Sequence, residues 1–440
     1  MHYVLKWYLE ARCKKLELKE KARELLQEFK GNNYVFGIHV LDQIAPLIEN
    51  LGSKRAAIVV GSSPASQQCL EAFQSAASNT GAEIIAVVDG AGSNAPREDV
   101  MRIAGELKAF KYDTLVAIGG GSNIDAAKCA ETIKVTGASF DDLFGIGQVT
   151  ALLEKKRKKL AKVFAIQTAA SSSAHLTKYS NITDVSTGQK KVIIDMALVP
   201  QKAAFDYSLT VAMTPEYTAD GALDGIGHSL EVLYGSIKQD YYKKVKEIAA
   251  CGIELIVSSL EKVVIDPSDL DAREAIGLGT DLGGYAIMTG GTNGGHLTSF
   301  SLVGVMSHGR AVGLMNPYYT VLFANSIREP LEILFDILGR FGYVSACGCE
   351  DFDNRDLSIE VAKGLQLLSQ AVGFPTKLDD VAGFMEKDYI AQALEAAKDP
   401  ALKSKLENMP SPLSLDMVDE YLGSVLTGAK TGDLSLVQTL

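Results

Sequence analysis

Short, mainly apolar runs alternate with longer stretches in which apolar positions recur at helical spacing. Residues 56–60, 83–88, 114–118 and 162–167 are runs of the first kind and predict buried strands. Between them, 67–79, 97–110 and 125–135 carry the helical pattern. Such alternation predicts a parallel sheet covered by helices. Ahead of it, residues 1–32 predict one charged amphipathic helix with Leu5, Tyr8, Leu9, Cys13, Leu16, Leu25, Leu26 and Phe29 along its stripe, ended by Gly31-Asn32-Asn33. The character changes near Pro200. From Met213 on, helical stretches dominate, at 219–234, 241–260, 271–289, 331–338, 358–372 and 389–399, with Pro- or Gly-bearing links. The plan is a helical extension (1–32), an α/β domain (33–200) and an all-helical domain (201–440). A ligand cleft is expected between the last two.

The third apolar run leads into Gly119-Gly120-Gly121-Ser122-Asn123-Ile124-Asp125-Ala126-Ala127-Lys128. A strand, a tight glycine turn and a helix start let the backbone approach a ligand closely. Free N–H groups and the positive helix end then favour a phosphate. The first run leads into Gly61-Ser62-Ser63, a second small-residue turn fit for a nucleotide phosphate.

Composition narrows the partners. The chain has 440 residues, 47% hydrophobic and 22% charged, with a net charge of −11. That balance argues against nucleic acid or an anionic membrane as the main partner. No run is long and apolar enough to cross a bilayer, and residues 1–30 lack an apolar signal core, so a cytoplasmic location is expected. The six cysteines are scattered. Cys347-Gly348-Cys349 is the only cluster, with no second one to complete a zinc site.

Histidines supply the second candidate chemistry. Asp224 and His228 are four residues apart, which puts both on one face of a helix. His296 follows Gly294-Gly295 and His308 precedes Gly309, in backbone where close approach to an ion is easy. One carboxylate and three imidazoles suit Fe²⁺ or Zn²⁺.

Together these segments resemble the iron-containing (group III) alcohol dehydrogenases, a branch of the dehydroquinate synthase-like superfamily. The pattern GGGSxxDxAK is met by residues 119–128; Pro215…Asp224-Gly-Ile-Gly-His228-Ser-Leu-Glu231 resembles the family's metal segment; His308-Gly309-Arg310-Ala311…Asn316-Pro317 resembles its terminal His-Gly segment. The resemblance implies a Rossmann-like α/β domain followed by an all-helical one, and a homodimer or larger homo-oligomer. It implies NAD or NADP bound by Gly119, Gly120, Gly121 and Ser122 at the pyrophosphate. Asp125 would order that turn, and Asn94, Thr168, Ser172 and Lys190 would touch the rest of the nucleotide. Metal ligands would be Asp224, His228, His296 and His308, and the reaction hydride transfer with a small alcohol or aldehyde.

The chain also departs from the family. His296 and His308 are twelve residues apart, two fewer than usual. The family's extra histidine after the third ligand is replaced by Phe300, or by Thr298 if the register slips, and His175 stands where a Glu is usual. The carboxylate that follows the first strand in NAD-preferring members is replaced by Gly61 or Ser62, which admits NADP. Arg310, set among Phe300, Leu302, Val303 and Val305, is the chief basic residue near the metal motifs, which favours a neutral substrate. A dehydroquinate synthase-like lyase, a polyol-phosphate dehydrogenase and a non-catalytic nucleotide-binding paralogue are the alternatives.

Overall fold

Six parallel strands form the N-terminal half: β1 (Tyr34–Gly37), β2 (Arg55–Val60), β3 (Glu83–Asp89), β4 (Thr114–Gly119), β6 (Lys162–Gln167) and β9 (Lys202–Asp206), in the order β1-β9-β6-β4-β2-β3. The structure, a computed structural model, describes residues 2–345 and 348–440, with the backbone alone for 2–13. Cys347 and the side chains of Leu5, Tyr8, Leu9 and Cys13 therefore lie outside the described residues.

Both faces of the sheet are covered, which is why its strands read as unbroken apolar runs. Ala57, Val59, Leu115, Ala117 and Ala165 face Val100, Ile103, Ile124 and Ala127 of two helices. Ile58, Val60, Val116, Ile118, Phe164 and Ile166 face Cys69 and Phe73 of a third. In chain order these are α2 (Pro64–Thr80), α3 (Arg97–Leu107) and α4 (Gly121–Thr136). The connection from β2 turns to one side and the one from β3 crosses to the other. The chain therefore switches direction between β2 and β4, and a crevice opens at their carboxyl ends.

The sheet runs past the expected boundary at residue 200, because β9 inserts between β1 and β6. A second, three-stranded sheet was not foreseen. It joins β5 (Gly145–Ile146) to a hairpin of β7 (Tyr179–Asp184) and β8 (Gln189–Ile194).

The described residues after Asp206 are helical or irregular. Among them α5 (Pro215–Gly235), α6 (Tyr242–Val257), α7 (Leu270–Thr289), α8 (Gly294–Ser299) and α9 (His308–Leu322) surround one large core. The expected N-terminal helix, α1 (His2–Lys30), packs on this half through buried Ala22, Leu25 and Leu26. Ion pairs from Lys15 and Lys19 to Asp271, Arg23 to Glu274 and Lys21 to Glu247 fix it, at 2.5–2.6 Å. Leu16, on the expected stripe, is exposed. No helix among the described residues is long and apolar enough to cross a membrane.

A buried polar knot ties the two halves together. Asp281 on α7 accepts hydrogen bonds from Tyr34 on β1 (2.5 Å) and Tyr207 after β9 (2.8 Å), and lies 3.4 Å from His175 Nε2. Burial pushes the Asp281 carboxyl up to about 7, against hydrogen bonds that lower it. The folded protein then holds this proton over a range where the unfolded chain has lost it, so stability falls as pH rises from about 4 to about 7. Asp281→Asn is expected to remove that slope. Its unfolding free energy relative to the native chain should rise by up to about 4 kcal/mol across the window. Urea titrations at both ends of the window check this, and a constant difference would refute it.

Candidate metal centre and cofactor cleft

Helix α5 carries Asp224 and His228 one turn apart on its inner face, both buried. Its glycines make the site possible: a Cβ on Gly221 would sit 1.9 Å from the Ala170 carbonyl oxygen, so only glycine lets α5 lie against the loop after β6. Helix α8 brings His296 and the start of α9 brings His308. Asp224 Oδ1 is then 3.8 Å from His228 Nε2, 3.4 Å from His296 Nε2 and 3.7 Å from His308 Nε2. Ligand atoms of Asp224, His228 and His296 all lie within 4.8 Å of one another. Twelve residues apart in the chain, His296 and His308 both bring Nε2 to within 3.7 Å of Asp224 Oδ1.

Hydrogen bonds fix how the rings present themselves. His296 Nδ1 contacts Glu231 Oε1 at 2.7 Å, and a carboxylate only accepts, so the proton sits on Nδ1 and the Nε2 lone pair faces Asp224. Ser299 Oγ donates to the His296 carbonyl (2.8 Å) and therefore accepts from His308 Nδ1 (3.2 Å), which frees His308 Nε2 in the same way. Asp224 Oδ1 and His296 Nε2 are buried without any hydrogen-bond partner. Orphaned acceptors of this kind are costly unless a cation meets them. The donor set therefore fits a divalent metal.

The electrostatics of Asp224, His228 and His308 agree. Burial would raise the Asp224 carboxyl, but the surrounding imidazoles overcome it and hold the group well below the usual carboxylate range. Burial brings His228 down to about 4, partly offset by Asp224. Burial also takes His308 well below its ordinary value, with Lys190 adding to the effect. His296 is raised in spite of burial, by Glu231 and Asp224. Glu231 also accepts from the backbone N–H of Asn293 at 2.6 Å and of His296 at 3.2 Å. It stood in the metal motif of the sequence without a role.

Across the cleft lies the glycine turn. Gly119 has φ +154°, Gly120 caps α4, and a Cβ on Gly121 would meet Ser172 Oγ at 2.1 Å. Ser122 Oγ accepts from the Asn94 backbone at 3.0 Å, and Lys190 Nζ donates to Asn94 Oδ1 at 3.0 Å. Burial lowers Lys190 to about 8, against Asp224 and Asp125. Asp125 faces the hairpin, accepting from the Asn181 backbone at 2.9 Å. Lys128, the last residue of the motif, is a clamp: its ammonium donates to the carbonyls of Ala174, Thr177 and Tyr179 at 2.5–3.0 Å and pins the loop under the cleft. Asn123 went unremarked in the sequence. It ties the turn to β2 and to the loop after β3 by bonds to Ile118 (2.7 Å), Val59 (3.3 Å) and Ala91 (3.0 Å).

One cavity of about 300 Å³ joins the two walls. Asn94, Gly121, Ser122, Asp125, Ser172 and Lys190 line it together with Asp224, His228, His296 and His308. Gly61, Ser62, Gly119, Gly120 and Thr168 do not; they lie at strand ends on the rim of the sheet. Phe300 lines it and stacks on His308 at 5.8 Å, while Thr298 turns away to Tyr319. Arg310 does not line it: its guanidinium lies 3.6 Å from Asp220 and 4.0 Å from the Phe374 ring centroid. The basic groups in the cavity are Lys190 and Lys405. Lys405 was invisible in the sequence because it lies 113 residues from Thr292, which it contacts, and in none of the motifs.

A nucleotide-type sheet on one wall and metal-competent helices on the other divide the work as a metal-dependent dehydrogenase does. Comparison with known families makes that specific. A family model described as iron-containing alcohol dehydrogenase matches residues 31–207, and one described as Fe-containing alcohol dehydrogenase family, C-terminal, matches residues 218–422. The chain belongs to the iron-containing alcohol dehydrogenase family, as its motifs suggested. It is 27% identical over 382 residues to long-chain-alcohol dehydrogenase 1 of Geobacillus thermodenitrificans, covering 86% of this chain and 91% of that one. To the NAD-dependent methanol dehydrogenase of Bacillus methanolicus it is 24% identical over 378 residues, 84% and 93% of the two chains. Its fold matches the alcohol dehydrogenase from Oenococcus oeni with a TM-score of 0.75 at 22% identity, over 90% of this chain and 98% of that one.

Proposed function

We propose that the chain transfers hydride between a small alcohol or aldehyde and NAD or NADP. The helical half would hold Fe²⁺, or Zn²⁺, through Asp224, His228, His296 and His308. The α/β half would hold the nucleotide through Gly61, Ser62, Asn94, Gly119, Gly120, Gly121, Ser122, Asp125, Thr168, Ser172 and Lys190. The observation that carries the reading is the convergence of an unpartnered carboxylate oxygen and three imidazole nitrogens in the cavity that the glycine turn also lines. Bound there, a divalent ion supplies Lewis acidity toward a substrate oxygen and the nucleotide supplies the hydride chemistry.

The chain's own residues do the rest. Asp224 stays ionised, and His296 and His308 are held in the tautomer that leaves Nε2 free. Lys190, braced by Asn94, puts a cation midway along the cleft. Phe300 stacks on His308 and gives that side of the cavity an apolar wall. With a phenyl ring where the family has its extra histidine, no imidazole relay is assigned. At the nucleotide end, Gly61 and Ser62 leave room for a 2′-phosphate, whereas Asp89, in register with Val60 on the neighbouring strand, is an exposed negative charge that opposes one. The family resemblance further supports a cytoplasmic homo-oligomer.

Oxidation of NADH and of NADPH against a panel of small aldehydes, with metal content measured on the same sample, tests this reading. Turnover with at least one aldehyde, lost on chelation and restored by Fe²⁺ or Zn²⁺, is the expected result. Metal-loaded protein that oxidises neither cofactor with any aldehyde would overturn it.

A further inference from the structure

Lys405 is the charge that the proposed reaction leaves without a task. It lies on a short helix, Lys403–Glu407, and reaches into the cavity beside Thr292, Phe300 and His296. It is 4% exposed. Its ammonium makes one hydrogen bond, to Thr292 Oγ1, and no ion pair within 4.0 Å among the described residues. Two of its three donors therefore have no protein acceptor. Glu231 makes no contact with it; burial brings the ammonium down to about 8, and the Glu231 charge offsets this only in part from a distance.

The charge count of the cleft makes the position informative. Asp125 is opposed by Lys128 at 3.9 Å and Asp220 by Arg310 at 3.6 Å. That leaves Asp224 and Glu231 against Lys190 and Lys405. The four balance, and a divalent ion at Asp224 and a nucleotide pyrophosphate would add charges of opposite sign, so what stands out is the Lys405 ammonium, which has no carboxylate within 4.0 Å among the described residues. A buried, uncompensated cation is costly, and the cost falls when an anion enters. The Phe300 ring neighbours both Lys405 and His308, with its centroid 5.5 Å from Lys405 Nζ and 5.8 Å from the His308 ring. A short chain could thus reach from the metal-ligand cluster to the ammonium.

We propose that Lys405, with Thr292, recognises a carboxylate at the far end of the substrate, so that the enzyme acts on short ω-hydroxy acids and their semialdehydes in preference to neutral alcohols and aldehydes. The inference rests on the dehydrogenase reading above and adds the substrate class to it. It also replaces the neutral substrate expected when Arg310 was taken as the nearest basic group.

The test compares succinate semialdehyde with butanal, which lacks only the carboxylate end, in native protein and in Lys405→Met. The native kcat/KM should favour the semialdehyde by about tenfold or more. Lys405→Met should lose about thirtyfold on the semialdehyde, chiefly in KM, and less than about threefold on butanal. Metal content of the variant should be unchanged. Calorimetric binding of hydroxybutyrate, read without turnover, should weaken by a similar factor. Equal losses on both substrates would make Lys405 a support for Glu231 and overturn the proposal, as would a native preference for butanal. That second comparison needs no variant, so it decides the matter even if Lys405→Met does not fold. Turnover with butanal but no semialdehyde preference sinks this inference alone, as does turnover with other aldehydes of the panel but not with the semialdehyde; no turnover with any aldehyde sinks the dehydrogenase reading with it.

Discussion

Asp224→Ala is expected to leave the protein folded, empty of divalent metal and slower in alcohol oxidation by about a thousandfold or more. Asp224 is the one carboxylate among the four proposed ligands, and its Oδ1 is the point on which the three imidazoles converge. Without it, three neutral nitrogens face a dication that must also give up water. The fold should survive because the glycines of α5, not the carboxylate, set its packing against Ala170. Metal analysis by mass spectrometry and turnover on one preparation give the answer. A variant that keeps one equivalent of metal would remove Asp224 from the ligand set.

Glu231→Ala should produce the next largest effect, by another route. Glu231 is fully buried and touches no substrate space; it holds the His296 ring and the first turn of α8. Removing it frees the His296 ring to rotate and leaves two backbone N–H groups unpaired. Metal affinity should fall by about ten- to a hundredfold. Stability should fall by about 2–5 kcal/mol, since one side of a buried, charge-assisted network is lost. Glu231→Gln keeps an acceptor for Nδ1–H and should recover most of the stability but only part of the affinity. Chelator competition and denaturant melts separate the two losses. Equal metal affinity in Glu231→Ala and the native chain would show that His296 needs no support.

Why some of this was legible and some was not follows from the residues. Strands β2, β4 and β6 are covered on both faces, so they are apolar at every position between their ends and stand out. The hairpin β7–β8 is half-polar, Tyr-Ser-Asn-Ile-Thr-Asp and Gln-Lys-Lys-Val-Ile-Ile, and gives no such signal. Strand β9 is short and follows a proline, so the sheet seemed to end early. At the site, the glycine turn and the Asp224/His228 pair are local in sequence and could be read directly. His296 and His308 could be found as residues, but only the fold brings both Nε2 atoms to within 3.7 Å of Asp224 Oδ1. Lys405 meets the cleft through a tertiary contact with Thr292, and nothing near it in the chain hints at that. Arg310 sits close to the motif in sequence, yet its neighbours Asp220 and Phe374 turn it aside.

The placement of β9 between β1 and β6 bears on how the chain is made. Strand β1 has no partner until residues 202–206 have left the ribosome, and α1 has none until α6 and α7 follow. At about 5–20 residues per second, the leading segment waits roughly ten to fifty seconds with Leu25 and Leu26 uncovered. The α1 segment is therefore one that cellular holdases should cover until α6 and α7 emerge, and slowing translation before residue 290 should lengthen their stay.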